Sequence, residues 1–128
     1  MSAVDDTIAK WRRSDFDWDG ADCILSVCDH VENVTGIDPA SPWRGTYSTE
    51  EGAEAICGRF GGLLGLFSHG MDLAGLKGTE SPVCGDPVVA KLAGMEVAGL
   101  YRDGRVVFRT KRGVVEGRAQ ILGAWSCQ

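Results

Sequence analysis

Apolar residues recur at three- and four-residue spacing through the first half of the chain, and the rhythm changes to alternation in the last third. Val4, Ile8 and Trp11 predict a short helix over residues 2–13. Ser2 suits its cap, Asp5 and Asp6 its positive end, and Lys10, Arg12 and Arg13 its negative end. Residues 14–20 read as a polar loop carrying Phe16 and Trp18. Ile24, Val27, Cys28, Val31 and Val34 predict a longer helix that opens at Cys23 behind an Asp22 cap. It stops at Gly36, with Ile37 placed to fold back on its last turn. Asp38, Pro39, Ser41 and Pro42 mark a loop, and residues 43–47 read as extended or irregular. Ser48 and Glu51 form a capping box with Ser48 as the cap. The helix it starts carries Ala53, Ile56, Cys57 and Phe60 on one face and ends at Gly61-Gly62. Residues 63–67 predict a short, glycine-interrupted helix, and 70–82 a loop with one more helical turn.

From Val83 onward the pattern is that of strands. Strands are predicted over 88–92, 95–101 and 105–109, with 114–118 and 121–125 completing the sheet. Ala93-Gly94 turns the chain, Asp103-Gly104 is a two-residue hairpin signal, and 111–113 is a further turn. Helices first and strands last predict an α+β class, a small C-terminal antiparallel sheet packed on the Cys23 helix. At 128 residues, with no linker or repeat, the chain reads as a single domain over 1–128.

Charge and cysteine content narrow the chemistry. The net charge of −5 weighs against a general nucleic-acid surface. Residues 1–54 hold 12 acidic and 4 basic side chains, whereas 55–128 hold 6 and 9. That asymmetry describes either a dipolar solvated surface or a face that docks on a partner. No apolar run is long enough to cross a membrane, and the acidic N-terminus is not that of a secretory signal. Five cysteines, an odd number without an export signal, predict reduced thiols in a cytoplasm. No Cys-x-x-Cys pair is present, and Cys23 and Cys28 fall on different helix faces, so no metal is expected. Gly61-Gly62 lacks the Lys-Ser/Thr ending of a phosphate loop, and no cofactor is expected.

The first turn of a helix favours a thiolate, because unpaired N–H groups and the helix dipole point there. It is also a place to bury a small apolar residue. Trp18-Asp19-Gly20-Ala21-Asp22-Cys23, then Gly85-Asp86-Pro87-Val88-Val89, then Val97-Ala98-Gly99-Leu100-Tyr101 before Asp103-Gly104, resemble in order and spacing the NlpC-type peptidases. These are papain-like cysteine hydrolases that cut bacterial cell-wall peptides. The likeness runs from about Phe16 to Trp125. Gly36-Ile37-Asp38-Pro39, with residues 44–50, looks closer to a branch found in phage and prophage tail modules. The resemblance implies a papain-like fold with Cys23 at the nucleophile position. It departs from the family at the general base: Glu96 stands where that family has a histidine opening the second strand. A glutamate is normally ionised, and its charge disfavours a neighbouring thiolate. No histidine occurs after residue 70. His30 lies two helical turns from Cys23, roughly 10 Å along the axis, and His69 precedes the strands.

Three readings follow. The first is a non-catalytic papain-like domain, made in the bacterial cytoplasm and carried in the virion. It would be a structural or assembly component of a phage tail tip, partnered by other tail-tip or hub proteins. The alternative is an active cysteine peptidase or amidase that cleaves peptidoglycan peptides with Cys23 as nucleophile. A third class is a small cytoplasmic adaptor. Arg102, Arg105, Arg109, Lys111 and Arg112 cluster around the predicted hairpins, as a solvated turn region or as a patch for an acidic partner. Trp125 either closes the sheet onto its own core or inserts into a neighbour.

Overall fold

The computed structural model describes residues 2–127. Four helices come first: α1 (Ala3–Arg12), α2 (Cys23–Thr35), α3 (Glu50–Gly58) and α4 (Leu63–Leu73). Five strands follow: β1 (Pro87–Leu92), β2 (Met95–Arg102), β3 (Arg105–Thr110), β4 (Gly113–Gly117) and β5 (Gln120–Ala124). Every pairing between them is antiparallel, and the class is α+β.

Local chemistry sets most of the boundaries. Ser2 accepts the Asp5 N–H at 3.3 Å to cap α1. Asp22 accepts the Leu25 N–H at 2.7 Å to cap α2. At the other end of α2, Gly36 takes a left-handed φ of 80° and donates its N–H to the Glu32 carbonyl at 2.7 Å. Ala93-Gly94 and Asp103-Gly104 both hold positive φ at successive residues, the backbone that joins right-twisted antiparallel strands through two residues.

Two helices depart from expectation. Thr49, not Ser48, caps α3, accepting the Gly52 N–H at 3.1 Å. The buried Tyr47 is fastened to Asp22 through its hydroxyl, so the chain begins to coil one residue later than the capping-box spacing implies. Residues 70–73 are not loop: α4 continues to Leu73 through both Gly65 and Gly70. These glycines are close-approach positions rather than stops. A Cβ at Gly70 would sit 2.4 Å from the Pro39 carbonyl oxygen and 2.5 Å from the Trp43 ring. Burial of Leu66, Phe67 and Met71 outweighs the weak helix propensity of glycine.

The sheet order is β4-β3-β2-β1-β5, so β4 and β5, consecutive in sequence, occupy opposite edges. Only residues 118 and 119 separate them. That link spans at most about 11 Å, whereas the edges of a flat five-stranded sheet lie about 19 Å apart. The sheet is therefore rolled. Its concave interior holds Val88, Ala90, Val106, Phe108 and Ala124, with no helix needed to cover them. The outer face presents Val89, Ala98, Leu100 and Val107 to the helical core, where α2 lies against β1, β2 and β3.

Candidate functional site

Cys23 is the first residue of α2, half-buried against the core and near Cys57. Its neighbour Asp22 is fully buried, with one carboxylate oxygen on the Leu25 N–H and the other accepting the Tyr47 hydroxyl at 2.5 Å. Burial raises the Asp22 carboxyl above its ordinary range, although these hydrogen bonds pull the other way. It raises Tyr47 as well, and the Asp22 carboxylate adds to that effect. The Cys23 thiol is pushed up to about 12, first by burial and second by the negative charge of Asp22. The backbone N–H groups of the first turn lower it, and burial wins. At neutral pH the thiol form therefore dominates.

Glu96 lies near the start of β2, opposite Lys91 on β1. Its Oε1 accepts the Leu64 N–H at 3.1 Å, at the N-terminus of α4. That helix has Gly62 at its cap position and no side chain of its own to cap it. A carboxylate there satisfies an orphan donor and meets the positive end of the helix dipole. Gly62 has φ 125°, and a Cβ on it would come within 3.0 Å of the Glu96 carboxylate.

Both histidines are engaged elsewhere. His30 is buried, its Nε2 3.1 Å from the Gly85 carbonyl and its Nδ1 2.7 Å from the Thr7 hydroxyl. A carbonyl can only accept, so Nε2 carries a proton, and the neutral ring accepts from Thr7 at Nδ1. Burial lowers the His30 pKa, which keeps the ring neutral. His69 is exposed on α4 and stacks on Phe60 with ring centres 4.7 Å apart.

The Gly85-Asp86 pair is a junction of the chain. Gly85 donates to the Tyr101 carbonyl at 2.8 Å, and Tyr101 donates back to the Asp86 carbonyl at 2.9 Å. The buried Asp86 carboxylate accepts the Val83 N–H at 2.9 Å and the Cys127 N–H at 3.2 Å, which fastens the last described residue.

The basic side chains fall into two groups at opposite ends of β3. Arg102 and Arg105 sit at the β2–β3 turn, where Arg102 is paired with Asp5 and Glu116. Lys111 and Arg112 sit at the β3–β4 turn, where Lys111 reaches Glu50 at 2.6 Å and lies over the Trp18 ring. Arg109 is buried beneath the helices, bonded to the hydroxyls of Ser26 and Ser14. Trp125 is also buried, tilted against Phe67, with its backbone bridged to Gly78. It closes on its own core.

Among the described residues no three His, Cys, Asp or Glu side chains gather as a metal site would require, and all five cysteines are free thiols. Reading the sequence alone missed the Tyr47–Asp22 bond, the burial of Arg109 and the capping role of Glu96. Each joins residues more than 20 positions apart, and no local spacing signals them.

The chain belongs to the family DUF6950, described as a domain of unknown function, whose model matches residues 1–127. No curated protein and no solved structure matches it.

Proposed function

We propose that this DUF6950 domain is a papain-like, NlpC-type unit that keeps the thiol position without its catalysis, and that it works as a structural or assembly component of a phage tail tip. One observation carries the non-catalytic reading. At the position where the resemblance calls for a base, the Glu96 carboxylate is hydrogen-bonded to the start of α4. The thiol it would have to activate is pushed up to about 12. A cysteine hydrolase needs a base matched to neutral pH within reach of a readily ionised thiol. The cap at Asp22, the helix opening at Cys23 and its seat on an antiparallel sheet support the papain-like comparison. The tail-tip assignment, with other tail-tip or hub proteins as partners and the virion as location, rests on the likeness of residues 36–39 and 44–50 to phage and prophage tail modules.

The test compares Cys23→Ser with deletion of the whole chain in the phage or prophage that encodes it. Cys23→Ser keeps the volume nearly constant and costs about 1–2 kcal/mol, mainly from a hydroxyl in apolar surroundings. Particles carrying it are expected to assemble and infect, whereas the deletion yields few complete tails. Intact but non-infectious Cys23→Ser particles, together with loss of peptidoglycan cleavage, would instead establish the peptidase reading.

A further inference from the structure

Arg109 is 7% exposed, and among the described residues no carboxylate forms an ion pair with it. Its Nη1 donates to Ser26 Oγ at 3.2 Å and its Nη2 to Ser14 Oγ at 2.9 Å. A guanidinium offers five N–H donors, and two neutral hydroxyls supply no counter-charge. Burying a cation without a partner is costly. The carbonyl end of α1 lies beside it, since Ser14 also donates to the Lys10 carbonyl at 2.8 Å. A helix terminus offsets only about half a charge. Asp29, which lines the neighbouring cleft between α1 and α2, is already bound to Arg44 at 2.7 Å.

Arg109 also lines a cleft of about 320 Å³ between the end of α1 and the β3–β4 turn. Arg12, Lys111 and Arg112 line the same cleft, against one carboxylate, Asp15. Lys111 is held by Glu50, but Arg12 and Arg112 are exposed and form no ion pair among the described residues. Three arginines that form no ion pair among the described residues therefore line one small cavity; the charges of Asp15, Asp29 and Asp22 reach the deepest of them, Arg109, without pairing with it, and two serines hold it in place.

We propose that this cleft is an oxyanion-binding site, with Arg109 as its anchor and Arg12 and Arg112 as its rim, and that it takes a phosphate-type dianion. Planar guanidinium forks match phosphate oxygens with paired, charge-assisted bonds. The excess of positive charge favours a dianion over a single carboxylate. The cavity suits a free phosphate or a phosphate monoester headgroup. The site is independent of the Cys23 thiol and of whether that thiol reacts.

The test is a phosphate titration of the full chain at neutral pH, with sodium chloride holding ionic strength constant. It follows the Arg109 side-chain N–H resonance by NMR and heats of binding by calorimetry. Inorganic phosphate is the probe, with acetate and a small phosphate monoester in parallel. Saturable binding of phosphate is expected, with acetate about tenfold weaker or more. Tighter binding of the monoester would identify an esterified headgroup as the ligand, and equal or weaker binding the free anion. Arg12→Gln/Arg112→Gln, at exposed positions that leave the fold intact, is expected to weaken phosphate about tenfold or more. Shifts that follow chloride alone, acetate binding as tightly as phosphate, or an unchanged affinity in the double variant would each overturn the proposal.

Discussion

The carboxylate of Glu96, near the start of β2, caps α4 by accepting the Leu64 N–H at 3.1 Å. It joins a strand to a helix across 32 positions of sequence. Glu96→Ala should destabilise the fold by about 0.5–1 kcal/mol, through loss of the cap and of the charge at the helix N-terminus. Glu96→Gln keeps an accepting oxygen and should lose less. Urea denaturation of the three proteins reads this directly. Equal stability of all three would show that the contact contributes nothing.

The reactivity of Cys23 should report its environment. With the thiol pushed up to about 12, alkylation by iodoacetamide at neutral pH should be slow at Cys23 and fast at the exposed Cys84. The rate at Cys23 should climb only in strongly alkaline solution. Because the folded value lies above the ordinary 9.0, this group adds stability that is complete below pH 9 and lost as pH rises towards 12. Site-resolved mass spectrometry of a timed alkylation gives the ratio. Modification of Cys23 ahead of Cys84 at neutral pH would mean an activated thiolate.

Two buried groups act in opposite directions with pH. Burial lowers His30 below 6.5, so its contribution is present above that pH and lost as the pH falls through the folded value. Burial raises Asp22 above 3.8, so its contribution is present below that value and lost as the pH rises through the folded one. His30→Gln should flatten the acid limb of stability below pH 6.5, and Asp22→Asn should flatten the rise in cost just above 3.8. Tyr47→Phe, which leaves one Asp22 oxygen buried without its donor, should cost about 1–3 kcal/mol. Denaturant unfolding across pH measures all three. An acid limb unchanged in His30→Gln would mean that the imidazole is not the group responsible.

Gly70 should tolerate no side chain. Alanine there would press a methyl against the Pro39 carbonyl and the Trp43 ring, at 2.4 and 2.5 Å. Gly70→Ala should lose about 3 kcal/mol despite its better helix propensity. Gly58, near the end of α3 with open space around its Cβ position, is the control, and Gly58→Ala should be neutral or slightly stabilising. A stable Gly70→Ala protein would show that α4 can move away from Trp43.

Much of the architecture is written locally. Ser2, Asp22 and Gly36 mark helix ends because a side-chain oxygen or a left-handed glycine satisfies backbone groups within four residues. Asp103-Gly104 marks a hairpin because two successive positive φ values select those residues. The period after Cys23 marks a buried helix, although packing buries Ile24 to Cys28 on every side of α2 and leaves Val34, in the same period, exposed. Local reading fails where packing overrides it. Gly65 and Gly70 look like helix breakers and instead admit Phe60, Pro39 and Trp43, while Tyr47 moves the α3 cap from Ser48 to Thr49.

The sequence by itself determined the helices-then-strands order, the opening of α2 at Cys23 and the absence of an imidazole from the segment after residue 70, since each depends on residue type and short-range spacing. Tertiary structure alone decided what those residues meet. Rolling of the sheet joins β4 to β5 through two residues and encloses Phe108. Packing of α2 on that sheet carries Arg109 under the helices to Ser26 and Ser14, and packing of α4 on β2 brings Glu96 to the head of α4. Contacts of this kind depend on through-space distance between segments far apart in the chain, and their energies come from burial and dielectric that exist only after the chain has closed on itself.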